Sequence, residues 1–370
     1  MTRDGGAALL GLALLSGCGS QTAPEPPAGP SRPFTLGFSD FPHAATEEGL
    51  AFAYQTIARE GDLAAWLFDD GVPWPEALAG LPYARGFMVG IERKLANTPA
   101  GHAVYLGINP INSARDGLAP YRGETGGQPL PAPWNARHLD DPAVIQAFVT
   151  HSDRMIAALR PQYFSYATEV NMLYQFNPAE WPAFIRFAAA VYPSLKQRHP
   201  GLPIFLTLQA NVFHESRATQ TLVAQQVLPY SDMVAVASYP FREFSDPASL
   251  PADHFGALRD LAPAKPFAVA ETCWPAEDVG DPYPFPIASS EDAQRRYTER
   301  LLGDAERLQA RFVSWTFSRD FDTLFTTITA PQERLVLRLF RDCGLLAGDG
   351  RARPAMGSWR DWLARRRASS

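Results

Sequence analysis

Cysteine is scarce in this chain of 370 residues, which has three: Cys18, Cys273 and Cys343. So few cannot build a small disulfide-stapled scaffold. Charged residues are also sparse, at 19% with a formal net charge of -6, and no basic run occurs before the last few residues. A nucleic-acid surface is therefore not expected. The seven histidines form no His-Glu-x-x-His and no other clustered ligand spacing, so neither metal nor metal catalysis is expected. The Gly-x-Ser-x-Gly elbow, the phosphate-binding glycine loop and the dinucleotide fingerprint are missing too. Serine hydrolase, NTPase and Rossmann chemistry lose their sequence basis, and no cofactor is expected.

Apolar residues, by contrast, make up 46% of the chain, enough for a sizeable core, and 34 prolines with 12% aromatics imply stiff, aromatic-lined loops. Near the N-terminus Arg3 precedes "GGAALLGLALLSG", shorter than the roughly 20 residues of a transmembrane helix and read as a targeting segment. Leu15-Ser16-Gly17-Cys18 resembles the lipobox of bacterial lipoproteins. That resemblance implies acylation of Cys18, a lipid anchor to a membrane, and an exported protein at the outer membrane or cell surface, with Gly19 favouring the outer membrane. The stretch "GSQTAPEPPAGPSRP" that follows is too rich in Pro, Gly and Ala to pack, and reads as a tether. The expected organisation is a signal peptide over 1–18, a tether over 19–33, a single domain over 34–365 and a basic tail over 366–370.

Within that domain eight short apolar runs alternate with amphipathic stretches. The runs are "FTLGFSD", "LAAWLFDDG", "HAVYLGINP", "YFSYATEVN", "PIFLTLQAN", "DMVAVASYP", "PFAVAETCW" and "RFVSWTFSRD". Most are apolar on both faces, as strands covered by helices must be. "ATEEGLAFAYQTIARE", "DPAVIQAFVTHSDRMIAALR", "PAEWPAFIRFAAAVYPSLKQR" and "SSEDAQRRYTERLLGDAERLQ" have helical period, the last opening on Ser290 before Glu291 and Asp292. Eight such alternations predict an α/β fold, a single-domain (β/α)8 TIM barrel; a monomer is the expected state. On that topology Cys273 and Cys343 fall near opposite ends of the barrel and are expected as two free thiols.

Polar residues gather at the C-terminal end of each run: Asp40, Asp69 and Asp70, Asn109 and Asn112, Glu169 and Asn171, Gln209 and Asn211, Ser238 and Tyr239, Glu271 and Trp274, Trp315 and Arg319. In a parallel barrel these all reach one rim, where such folds place their chemistry. Strand ends are polar in any case, because loops begin there. Two glutamates that directly end buried runs, Glu169 on the fourth and Glu271 on the seventh, need a stronger reason, since an unpaired buried carboxylate is expensive. Paired carboxylates suit glycoside cleavage, in which one donates a proton while the other attacks or activates water.

"YATEVNM" and "VAETCWP" resemble the clan of retaining (β/α)8 glycoside hydrolases, and within it endo-β-1,4-galactanases and endo-glucanases, whose seventh strand ends in Glu-Thr-Gly-Trp-Pro or similar. The resemblance implies a β-linked carbohydrate substrate, with Glu169 as acid/base and Glu271 as nucleophile. It also makes Tyr239 and Trp315 positions that line the cleft; with Thr168 and Asn171 beside the acid/base, Trp274 beside the nucleophile, and Asn109 and Asp70 on the rim, they are the expected substrate-binding residues. Two departures stand out: the clan carries Asn before the acid/base where this chain has Thr168, and Gly is common where Cys273 stands. Thr168 keeps a second reading open, a catalytically inactive glycan-binding or scaffolding lipoprotein. Trp74, Tyr174, Phe176 and Tyr283 are further aromatics near the rim, each able to serve packing as well as sugar stacking. The long Gly- and Pro-rich loop after the third run is a candidate substrate-binding loop that carries His138, while His214 beside Glu215 reads as a surface pair.

Overall fold

The computed structural model describes residues 30–368; Cys18, the lipobox and most of the expected tether lie outside them. Eight parallel strands close into a barrel in chain order: β1 (Thr35–Ser39), β2 (Leu63–Phe68), β3 (Ala103–Ile108), β4 (Tyr163–Ala167), β5 (Ile204–Gln209), β6 (Val234–Ser238), β7 (Phe267–Thr272) and β8 (Phe312–Trp315). β8 pairs back with β1, so no sheet edge is left open. Each strand lies within one of the eight apolar runs, and the expected (β/α)8 barrel is the fold observed.

Both strand faces are buried, each against a different layer. Leu63, Ala65, Tyr105, Phe205, Met233, Ala235, Ala268, Ala270 and Phe312 fill the barrel interior. The alternate residues, such as Trp66, Leu106, Phe164, Leu206, Val236 and Val313, pack outward under the helices. The helices start where their caps dictate. Thr46, Asp141 and Ser290 each accept a backbone N–H at the first turn of Glu47–Glu60, Pro142–Leu159 and Glu291–Arg307. Glu291 and Asp292 then sit at the positive end of the helix dipole.

Two expectations need correcting. The ordered domain starts before residue 34: Ser31–Arg32 pairs in parallel with Arg366–Arg367, and buried Arg32 holds Asp62 at 2.8 Å. The end of the expected tether and the start of the expected tail thus clasp each other, because Arg32 finds a carboxylate under the barrel. The second correction concerns Cys343. The excursion after β8, residues 316–353, stays on the rim side until the last helix, Pro354–Leu363, begins. Cys343 therefore lies beside Cys273 rather than across the barrel from it, although both thiols are unlinked.

Candidate active site

Strict alternation along β7 would point Glu271 the wrong way. Ala268 and Ala270 face the barrel interior, so the next residue should face the helices. β7 instead carries one extra residue relative to β6: Val236 aligns with Val269, but Ala237 aligns with Glu271. The bulge reverses the parity and turns Glu271 into the barrel mouth, while Thr272 turns outward to meet the Tyr297 hydroxyl at 2.6 Å. β4 shows a similar irregularity between Ser165 and Ala167. Glu169 then takes a left-handed backbone, φ 51°, a strained conformation for a residue with a side chain.

The two glutamates have unlike neighbours. Glu169 is buried, and its Oε2 accepts from Arg115 Nε at 3.3 Å and Nη2 at 3.1 Å. Arg115 is itself buried, left-handed at φ 57°, and bridges to both oxygens of Asp69 at 3.1 to 3.2 Å. Glu271 is half-buried and accepts one hydrogen bond, from the Tyr239 hydroxyl at 3.0 Å. That hydroxyl also meets Thr316 Oγ1 at 3.1 Å.

Burial raises the pKa of both carboxyls. At Glu169 the Arg115 charge opposes that rise without cancelling it. At Glu271 burial, followed by the negative charge of Glu169, pushes the value up to about 8. Tyr105, below in the barrel, and Tyr239 both feel the two carboxylates and are raised well above the ordinary tyrosine value, chiefly by burial. Glu169 and Glu271 thus share one electrostatic environment, in which the negative charge of one disfavours charge on the other.

The other expected site residues divide. Tyr239 touches Glu271, and Thr168 precedes Glu169 with its backbone N–H donating to Asn109 Oδ1 at 3.3 Å. Asn109 is buried and donates to Asp69 at 2.7 Å, so it positions rather than faces the mouth. Asn171 is turned away: it bonds Gln209 and Gln220, tying the chain after β4 to the end of β5. Asp70 points to Arg122 at 3.1 Å, and its neighbour Asp69 is the aspartate that meets Arg115. Trp274 and Trp315 do not line the cleft. Both are fully buried, on the outward face of the sheet, where they pack on Tyr297 and donate their indole N–H to Ser289 and to the Cys343 carbonyl. Pleat parity accounts for Trp315, since Phe312 faces in and the residue three further on must face out.

Arg115 is the residue that sequence reasoning missed. It belongs to a tight turn in which Asn112 and Asp116 bond each other, within the long loop after β3. The available clue was a lone arginine just beyond a strand end in a chain with two unexplained buried glutamates. Glu277, Asp320 and Asp342 form the one acidic group among the described residues with metal-ligand spacing. Arg353 and Arg338 occupy their oxygens.

A parallel eight-stranded barrel with two carboxylates at its C-terminal mouth is the arrangement on which many glycoside hydrolases are built. Solved structures similar to this chain include glycoside hydrolases. A GH5_18 protein variant from Streptomyces cattleya in complex with Manb1-4GlcNAc has a TM-score of 0.61 at 16% identity, covering 91% of this chain and 83% of that one. The GH53 catalytic domain of Ignisphaera aggregans has a TM-score of 0.51 at 16% identity, covering 81% and 84%. An exo-beta-1,4-mannosidase from Opitutaceae bacterium strain TAV5 has a TM-score of 0.61 at 12% identity, covering 89% of this chain and 59% of that one. At these identities the likeness is one of fold. No protein-family profile and no curated protein matches the sequence.

Proposed function

We propose that the chain is a retaining glycoside hydrolase acting on a β-linked oligosaccharide or polysaccharide, with Glu169 as acid/base and Glu271 as nucleophile. The observation that carries this reading is the bulge in β7, which turns a carboxylate out of a buried run toward the mouth where the charge of Glu169 acts on it. One retained proton over the pair is what the reaction needs: a general acid and an ionised nucleophile together. Arg115 favours charge on Glu169. Productive binding therefore requires the proton to sit on Glu169 and the charge on Glu271, where Tyr239 stabilises it. The solved mannosidase and the complex with Manb1-4GlcNAc make β-mannosides a first choice among substrates, with galactans and glucans next.

Arg115 also favours a second reading, a barrel that binds glycans without cleaving them, because an acid clamped by a guanidinium is a poor proton donor. Incubating the purified chain with aryl β-glycosides and with soluble mannans, galactans, glucans and xylans separates the two. Released product that disappears in Glu169→Gln and Glu271→Gln supports hydrolysis; binding with no product supports the second reading. The proposal further places the domain on a membrane through acylated Cys18, on the strength of Leu15 to Cys18. Recovery of a fatty-acylated Cys18 peptide from the membrane fraction is the expected result, and an unmodified Cys18 refutes the anchor.

A further inference from the structure

Cys273 and Cys343 belong to segments that the fold stitches together. The Ala276 N–H donates to the Asp342 carbonyl at 2.7 Å. The side-chain amide of buried Gln294 donates to the Trp274 carbonyl at 2.9 Å and the Gly344 carbonyl at 3.0 Å. One amide thus holds the residue following each cysteine. The Trp315 indole N–H fixes Cys343 from a third side, through its carbonyl at 2.9 Å. Between these anchors both thiols are fully buried, and each influences the ionisation of the other.

We infer that Cys273 and Cys343 form a disulfide when the chain folds in the presence of a disulfide oxidant. The inference does not depend on the proposed hydrolysis. In the exchange, one cysteine thiolate attacks a sulfur of oxidised glutathione and displaces glutathione thiolate, leaving a mixed disulfide. The second cysteine thiolate attacks the protein-bound sulfur, closes the Cys273–Cys343 bond and releases the second glutathione thiolate. Two protein thiols are oxidised, and one small-molecule disulfide is reduced to two thiols. Burial pushes both protein thiols up from their ordinary value, so the pair exchanges during folding or opening rather than from the closed state.

The crosslink joins the end of β7 to the return of the excursion after β8. Phe340, three residues before Cys343, packs on Tyr239 at 5.0 Å between ring centroids, and Tyr239 holds Glu271. The oxidised chain therefore has one wall of the mouth fastened covalently to the strand that carries Glu271.

The test uses the full chain with Cys18→Ser, which leaves only the pair. It is unfolded in reductant and refolded in a buffer of oxidised and reduced glutathione. A second sample, purified folded in reductant, is equilibrated in the same buffer at sub-denaturing urea. Folded monomer is recovered by size exclusion, its free thiols are counted after denaturation, and its peptides are mapped. The expected result is loss of both free thiols, a peptide joining Cys273 to Cys343 that is two hydrogens lighter than the reduced pair, and a higher Tm than the reduced monomer. Folded monomer that keeps both thiols in both samples, or carries glutathione on one cysteine without closing the bond, overturns the inference.

Discussion

The end of β4 and the end of β7 present the same residue type to the same space by opposite means. Glu169 is over-determined: a left-handed backbone, a hydrogen bond from its N–H to Thr207 at 2.8 Å and a fork of contacts from Arg115 fix it. Glu271 is held lightly, by a bulge and one tyrosine hydroxyl. The difference shows where each charge is favoured. The Arg115 guanidinium bonds Glu169 directly and offsets its burial, whereas Glu271 feels that charge only without contact, and burial with the charge of Glu169 pushes it up to about 8. An arriving sugar has to reverse that order for hydrolysis to proceed, and Arg115 is the group that resists.

The largest effect expected is from removing either carboxylate. Glu169→Gln and Glu271→Gln should each lower kcat on a cleaved substrate by roughly a thousandfold while leaving the circular dichroism unchanged. Equal losses support one pair with divided roles; retained activity in either variant breaks the comparison at that strand.

Next comes Arg115→Met. It strands Glu169 and Asp69 without their cation, and should destabilise the fold by about 3 kcal/mol at neutral pH. Glu169, without the charge that lowers its pKa, then takes up a proton more readily. The loss should therefore shrink as pH falls toward 4, which thermal melts across pH would show. A loss that does not change with pH would mean that Arg115 contributes packing rather than charge.

The pH profile sharpens the same contrast. Activity needs one proton on the pair. With Glu271 raised from an ordinary 4.5 to about 8, that proton is present below about 8 and lost above it, so kcat/KM should fall on the alkaline side near pH 8. Tyr239→Phe removes the hydroxyl that steadies the ionised Glu271, and should lower kcat about tenfold and move that limb upward. A limb that stays in place would detach Tyr239 from the titration.

The smallest effect expected is from Thr168→Asn, which restores the residue usual in the clan. It should change kcat/KM by less than about tenfold in either direction, measured on the same substrate. A larger gain would identify Thr168 as the feature that restrains the enzyme.

Sequence pattern located the barrel because burial on both faces is a property of whole segments, and all eight runs contain their strands. It also placed both glutamates on the rim. It was less informative about which rim residues face the mouth. Many of the polar residues at strand ends lace neighbouring strands together: Asn109 to Asp69, Asn171 to Gln209, Asn211 to the Tyr239 carbonyl and Thr272 to the Ser238 carbonyl. A strand end that must be tied to its neighbour looks, in sequence, like one that binds a ligand. Parity supplied the other error. A single extra residue in β7 decides whether Glu271 or Thr272 faces inward, and nothing in "VAETCWP" marks that residue. Trp274 and Trp315 face the helix layer for reasons of the same kind, and Cys343 lies at the rim because the long excursion after β8 precedes the last helix, Pro354–Leu363.

The most direct measurement is covalent trapping. The purified chain is incubated with 2-deoxy-2-fluoro-glycosides of the manno, galacto and gluco series that bear an activated leaving group, then digested and its peptides sequenced by mass spectrometry. The account predicts a single fluoro-sugar adduct, on the peptide containing Glu271 and at that side chain. An adduct on Glu169, or a chain that binds these sugars and is never labelled, contradicts it.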